Sequence, residues 1–317
     1  MKPSGVENGK EVWTFSHTQF QTLFACPRKY YLSYIKDISP IRKSSALLLG
    51  TAVHAGLEAG YAGENPKKAI QEEFKPLLKK TKTAEERVAL QLDCARAVAM
   101  AKGYIGKFMA GDRSRFQTMR PEQETLITVA ENDTVVLKYK SYLDGLHTDK
   151  DGDWTMEHKT AGRPNHSYMT RIKLDWQVLS YAFAAKSVTG RFPRGCIYNI
   201  IKKTQIRRKA GESIKAFEQR IGDEYRLQAE KKGLFIREEF LYSKKRLMAW
   251  KKMAKLTAIR LYNLLAHHHD EQLHWVQNTG SCLDYSACSM LNLCASGGKP
   301  NPLIYEIGTR SRRLAGK

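Results

Sequence analysis

Between residues 122 and 161 the sequence changes its period. The runs ETLITV, TVVLKYKSYLDGL and DWTMEHKTA alternate apolar with polar residues and are rich in β-branched side chains, the pattern of strands with one covered face. Glu131-Asn-Asp133 and Asp149–Asp153 supply the turns between them. A helix over 171–188, carrying WQVLSYAFAA, leads to a further strand at GCIYNIIKKT. This β-β-β-α-β order, flanked by helical patterns, predicts an α/β fold: a sandwich around a small mixed sheet.

The flanks are helical for identifiable reasons. Ser16-His-Thr-Gln19 is a capping-box pattern opening FQTLFACPRKYYLSYI, read as one amphipathic helix. Further helices are expected from Ser45 through LLLGTAVHAGLEAGY, over 66–80 and over 84–109. After the sheet come a charged helix over 211–231, a short strand EEFLYS, a long basic helix over 244–268, and a short strand LIYEIG. Residues 1–12 are polar and read as a disordered leader, and 308–317 as a basic tail. Residues 13–307 are expected to form a single domain, with a helical region at about 60–115, a core at about 116–205 and a cysteine segment at 282–294.

The 317 residues carry 53 Lys+Arg against 32 Asp+Glu, a formal net charge of +21. Such an excess suits a phosphate-binding surface and a polyanionic partner. No apolar run reaches the ~20 residues of a membrane span. MKPSGVENGKEVW lacks the apolar region of a signal peptide, so a cytoplasmic location is expected, with no membrane partner. The chain has no G-x-x-x-x-G-K-[ST] loop, so no helicase motor is expected within it.

The hairpin places chemistry in one volume. Side chains alternate along a strand, so Glu157 and Lys159 point one way and His158 the other, while Asp144 ends the preceding strand. Two carboxylates and the His158 backbone carbonyl offer the oxygen ligands that Mg²⁺ or Mn²⁺ prefers, and Lys159 could neutralise charge developing on a phosphate. In Gly50-Thr-Ala-Val-His54 an imidazole lies on a helix face, with a small residue four positions earlier to permit close approach. Gln177 and Tyr181 form an i,i+4 pair on one helical face. Each signal alone also fits a structural role; their order and convergence carry the argument.

Taken together, GTAVH, YLDG, EHK and QVLSY resemble the RecB-like branch of the PD-(D/E)XK nuclease superfamily, and FSHTQFQTLFACPRKYYL is similar to that family's opening segment. The resemblance implies the restriction-endonuclease-like fold. It also implies that His54, Asp144 and Glu157 bind Mg²⁺ or Mn²⁺, that Lys159 is the catalytic lysine, and that Gln177 and Tyr181 contact the DNA strand or steady the site. His158 stands where the family usually has an apolar residue. The activity implied is that of a metal-dependent DNA nuclease, an exonuclease on DNA ends or single strands in recombination or repair. A stand-alone nuclease of this kind would suit a bacteriophage. A structure-specific endonuclease on flaps or branches, or a non-catalytic DNA-binding assembly protein, are the alternatives.

Cys282, Cys288 and Cys294 form a C-x5-C-x5-C array, and Cys26 lies far upstream beside Pro-Arg-Lys. Four thiolates suit zinc or an iron–sulfur cluster, and spacing does not choose between them. The resemblance to CRISPR-associated and AddB-type nucleases implies a 4Fe–4S cluster, although their C-terminal spacing is C-x2-C-x5-C. Cys94 and Cys196 read as buried thiols. Lys202, Lys203, Arg207 and Arg208 after a strand, and Arg28 and Lys29 beside Cys26, are candidate DNA contacts; Tyr30, Tyr31 and Tyr34 could stack on bases, although packing is expected for at least two of them.

Overall fold

The structure, a computed structural model, describes residues 3–41, 45–120, 123–268, 272–284 and 287–308. In chain order come β1 (Gly5–Glu7), β2 (Lys10–Ser16), α1 (His17–Ala25), α2 (Pro27–Tyr30), β3 (Ile38–Pro40), α3 (Ser45–Tyr61), α4 (Pro66–Lys80) and α5 (Ala84–Arg115). Strands β4 (Thr118–Arg120), β5 (Gln123–Glu131), β6 (Val135–Leu143), β7 (Gly145–Asp149) and β8 (Gly152–Ala161) follow. Next are α6 (His166–Ile172), α7 (Trp176–Thr189), β9 (Gly195–Lys202), α8 (Ile214–Leu227), α9 (Ala229–Lys232), β10 (Phe235–Leu241), α10 (Lys244–His267), α11 (Leu291–Ala295) and β11 (Tyr305–Ile307). The chain packs as two compact units, the first of residues 1–43, 126–141 and 248–317, the second of 44–125 and 142–247.

The first unit is built on the sheet β1-β2-β6-β5, in which β2 and β6 run parallel. A small β11–β3 pair joins the C-terminal segment to the N-terminal one. Its core is aromatic: Tyr139 meets Phe20 and Trp250 edge-on at 5.3 Å, geometry that suits ring quadrupoles. The expected leader is corrected here, because Glu7 pairs with Lys10 across an Asn8-Gly9 turn with both residues at positive φ. Asn-Gly is the pair that a two-residue hairpin of this hand favours, and it turns β1 back onto β2. The segment expected as one helix after Ser16 is also corrected. The capping box is present, but Cys26 is extended and separates α1 from α2, since Pro27 has no N–H to continue the ladder. The basic tail lies outside the described residues from 309 onward.

The second unit holds the mixed sheet β10-β9-β8-β7-β4. Strands β8 and β9 are parallel and joined through α6 and α7; the other pairings are antiparallel. Helices α3, α4, α5 and α8 bury a second layer that includes Val53, Leu57, Phe74, Val98 and Phe217. The stretch expected as one strand through Asp144 is two: it breaks at that residue, and β7 pairs with β8 instead. The helix expected over 171–188 divides likewise, with Asp175 capping α7 through the Gln177 N–H. Close approach of α3 is enforced at Gly56, where a Cβ would lie 2.6 Å from Ile70 Cδ1. At Gly50 a Cβ would sit at an ordinary 3.5 Å from Thr160 Oγ1. The tight positions on α3 are therefore Gly56 and Gly60, the latter with a Cβ 2.4 Å from Ile105 Cδ1, both after His54 in sequence.

Candidate active site

All of the expected catalytic side chains lie in the second unit. Gly145 is opposite Met156 in the β7–β8 ladder, so the hairpin carries Asp144 beside the next residues of β8. The Asp144 Oδ2 accepts the His158 backbone N–H at 2.8 Å and faces His54 Nδ1 at 3.4 Å. From the opposite face of β8 to His158, Glu157 and Lys159 form an ion pair through Oε1. Helix α7 completes the set: Tyr181 donates to Glu157 Oε2 at 2.5 Å, and Lys159 Nζ donates to Gln177 Oε1 at 2.8 Å. His54, Asp144, Glu157, Lys159, Gln177 and Tyr181, scattered over 128 positions of sequence (181 − 54 + 1), thus form one contiguous network.

Burial sets the electrostatics. Glu157 is fully buried; desolvation and the nearby Asp144 charge push its carboxyl up to about 7 against the pull of Lys159 and Tyr181. Asp144 is held well below the usual carboxylate range, because His54, His158 and Lys159 outweigh the cost of its burial. Burial pulls the His54 imidazole down, but Asp144 and Glu157 overcome this and lift it to about 9. Burial likewise works against the Lys159 ammonium, and the two carboxylates hold it above its ordinary value. Glu157, its ionisation opposed by burial and by the Asp144 charge, is left short of positive charge even beside Lys159.

That shortage, with a donor set of carboxylate, carbonyl and imidazole, fits a hard divalent cation. The fit is by chemistry rather than by a finished cage. Among the described residues no group of three Cys, His, Asp or Glu side chains could hold a metal as it stands. Both Glu157 oxygens are engaged, by Lys159 and Tyr181, so coordination would require Lys159 to give up one of them.

Residues 14–295 match the family model of the PD-(D/E)XK nuclease superfamily. The chain belongs to that superfamily. The mixed α/β architecture described above is consistent with the PD-(D/E)XK fold, and the motif order read from the sequence falls inside the matched span. Among solved structures, the chain is similar to a candidate exonuclease from Eubacterium rectale, 10% identical over 90% of this chain and 88% of that one, with a TM-score of 0.45. It is also similar to SSO0001, 13% identical over 78% of this chain and 86% of that one, with a TM-score of 0.30. No curated protein matches the sequence. No helix among the described residues is long and apolar enough to cross a membrane.

Of the two roles expected of Tyr181, contact with the strand or support of the site, its surroundings agree with the second. Tyr181 is 1% exposed, so its phenol serves Glu157 and presents nothing to a DNA strand. His158, at the position where the family usually has an apolar residue, is buried edge-on against Tyr104 at 5.0 Å and near Tyr61 at 6.0 Å, and burial drives its imidazole down to about 3. A neutral ring there packs as an apolar residue would.

The sequence reading missed the polar support beneath the site. Asn199 Nδ2 donates to the Glu157 backbone carbonyl at 3.3 Å, and its Oδ1 accepts from Arg237 Nε at 2.7 Å. Arg237 is in turn held by both oxygens of Asp112, at 2.6 and 3.0 Å, and by Tyr104 OH at 2.6 Å. Tyr61 OH donates to Asp112 at 2.5 Å. A signal was available: Asn199 is a lone polar residue in CIYNII, and Tyr104, Phe108 and Asp112 recur at i,i+4,i+8 on one face of α5.

The four cysteines lie in the first unit. Cys26, Cys282, Cys288 and Cys294 line one cavity of about 30 Å³ together with Lys29 and Met290. Cys26 Sγ accepts the Asn278 N–H at 3.3 Å, and the Cys288 N–H bonds the Cys282 carbonyl at 2.8 Å. Burial and the three other thiols raise Cys294, against the pull of Arg28. Cys196 is fully buried, whereas Cys94 is only half-buried. Tyr30 and Tyr31 are buried and pack; Tyr34 is half-buried and stacks on Tyr30 at 4.6 Å. Among the expected DNA contacts, Lys202 and Lys203 each donate to a backbone carbonyl and Arg208 Nε donates to the Glu212 carbonyl at 2.6 Å. Arg207 is exposed, and Arg28 lies over the Tyr31 ring at 5.3 Å.

Proposed function

We propose that this protein is a Mg²⁺- or Mn²⁺-dependent deoxyribonuclease acting on DNA ends or single strands, as an exonuclease in recombination or repair. The observation that carries the reading is the convergence of Asp144, Glu157 and Lys159, with His54 beside them, in one buried network on a PD-(D/E)XK chain. The formal net charge of +21 supports a polyanionic substrate. Preference for ends rests on the RecB-like motif set.

Asp144, Glu157, His54 and the His158 carbonyl would hold the cation, which when bound supplies an acidified water and polarises the scissile phosphate. The chain's own groups do the rest. The His158 N–H and Tyr181 OH fix the two carboxylates, and Gln177 holds the Lys159 ammonium at 2.8 Å. From there Lys159 offsets negative charge accumulating on the phosphorane oxygens. His54 must shed its proton before its nitrogen can act as a ligand.

The four cysteines hold a second, structural metal centre that ties the N-terminal and C-terminal segments of the first unit. A 4Fe–4S cluster follows from the family resemblance, with zinc as the alternative that four thiolates equally suit. Iron and zinc analysis of anaerobically purified protein, with its visible spectrum, decides between them.

The activity is tested by incubating end-labelled linear DNA and circular single- and double-stranded DNA with the protein and Mn²⁺, beside Lys159→Ala. Loss of linear but not circular DNA is the expected result. Cutting of circles or branches would establish an endonuclease instead, and equal activity of the variant would remove Lys159 from the mechanism.

A further inference from the structure

The polar side chains behind the carboxylate–lysine site meet at one carboxylate. Asp112 of α5 accepts Tyr61 OH of α3 at 2.5 Å and both amino groups of Arg237 of β10, at 2.6 and 3.0 Å. The guanidinium also donates to Tyr104 OH at 2.6 Å and, through Nε, to Asn199 Oδ1 of β9 at 2.7 Å. Its carbon lies 4.0 Å from the centre of the Phe108 ring, a cation–π contact. As a source of stability such a group gains little, because a buried ion pair returns about what its desolvation costs. What apolar packing could not supply is a set of directional links between separate elements.

Two of those links end on the groups that would hold the cation. His54 and Tyr61 are seven residues apart on α3 and share one face of it; the His158 ring lies 6.4 Å from the first and 6.0 Å from the second. While His54 faces Asp144, Tyr61 anchors the same helix to Asp112. On the sheet, His158, Asn199 and Arg237 stand directly opposite one another in adjacent strands, so their side chains form a row on one face. Through that row Asp112 reaches the peptide between Glu157 and His158. The carbonyl of that peptide accepts Asn199 Nδ2 at 3.3 Å, and its N–H donates to Asp144 at 2.8 Å. The helix with His54 and the strand with Glu157 are thus tied to one fixed point.

We propose that Asp112 is a positioning hub for the cation site: its bond to Tyr61 sets His54, and its bonds through Arg237 and Asn199 set the Glu157–His158 peptide. This role rests on the Mg²⁺- or Mn²⁺-dependent reading and adds to it residues outside the cleavage motifs. Tyr61→Phe cuts the first arm and keeps the ring, while Asn199→Ala cuts the second and leaves room for a water on Arg237. Mn²⁺ binding in the absence of DNA is measured by electron paramagnetic resonance of the free ion, counting only the site that Asp144→Asn removes. Losing a group that orients a metal ligand typically costs about 10- to 100-fold in affinity. Each variant should therefore raise the Mn²⁺ Kd about tenfold, and the double variant up to about a hundredfold.

A merely structural role would act through stability instead. Phe217→Leu loosens the same helical layer without touching the hub; it should lower the melting temperature and leave the Mn²⁺ Kd unchanged. Circular dichroism monitors each fold, and Asn199→Ser replaces Asn199→Ala if that variant melts early. An equal rise of Kd in Phe217→Leu overturns the proposal, since the effect would then be general loosening. If wild type binds Mn²⁺ and both hub variants bind it as tightly, only this inference fails. If wild type holds no Mn²⁺ that Asp144→Asn removes, the cation-dependent reading fails with it.

Discussion

The carboxylate–lysine site of the second unit and the cysteine cavity of the first differ in what holds their side chains. Asp144, Glu157 and Lys159 sit on or beside paired strands, and each has a protein partner within hydrogen-bond reach. Behind them Asn199, Arg237 and Asp112 extend the network into the core. The cysteines lie instead at a helix break, on a 3-10 turn, in a loop and on the short helix α11. Few hydrogen bonds fix their sulfurs. The first arrangement is organised by the protein's own hydrogen bonds; under the proposed metal centre, the second would draw its order from what the thiols bind.

The largest effect should come from the side chain with least redundancy. Lys159→Ala is expected to slow single-turnover cleavage of linear DNA by about 10²–10³, measured on protein whose fold is checked by circular dichroism, since the change also strips buried Glu157 of its ion-pair partner. A rate within a few fold of wild type would break the view that the preorganised network is catalytic.

Next in size is the buried support. Arg237→Met leaves Asp112, only 2% exposed, without its bidentate partner, and stranding a buried charge costs about 3–5 kcal/mol. Urea denaturation measures it. The same pair gives a pH dependence. Burial opposes the Asp112 charge, yet Arg237 and Tyr61 hold its carboxyl below its ordinary value. A depressed carboxylate contributes stability that is full above its unfolded pKa and is lost as pH falls through the folded one. Acid unfolding should therefore steepen below about pH 4 in wild type and be flatter in Asp112→Asn.

Removing a thiol tests the other half of the comparison. Cys294→Ser should abolish the metal content of the first unit and raise hydrogen exchange around 275–308, while β8 and β9 of the second unit keep their protection. Lost metal with unchanged exchange would show that the cavity is ordered without it, and retained metal would remove Cys294 from the ligand set.

The contrast also explains what the sequence disclosed. Periodicity located the strands at 122–161 and every long helix, because those faces bury apolar residues at fixed spacing. It did not show that β5 and β6 join one sheet and β7 and β8 another, since the pairing partners are distant in sequence. The interruptions were hidden in single residues: Pro27 breaks the first helix, Asp144 divides β6 from β7, and Asn8-Gly9 folds the expected leader into a hairpin. The site's own side chains were legible because their types and order are restrictive. The pairing of Arg237 with Asp112 was not, since the partners lie 125 positions apart and the spacing on α5 marks only one of them.

The smallest effect discriminates most finely. Tyr181→Phe removes one hydroxyl from Glu157 Oε2 and no packing volume, and the ring is 1% exposed. A hydrogen bond to a charged group is worth about 1.5–3 kcal/mol, less what the carboxylate recovers from Lys159 or a cation. A rate loss of about tenfold is expected. If Tyr181 only steadies Glu157, the loss should appear as a higher Mn²⁺ requirement with oligonucleotide affinity unchanged in EDTA. If it instead touched the strand, affinity in EDTA would fall while the Mn²⁺ midpoint stayed put. The buried phenol argues for the first outcome, and the second would mean that the site opens far enough to expose a residue the folded core encloses.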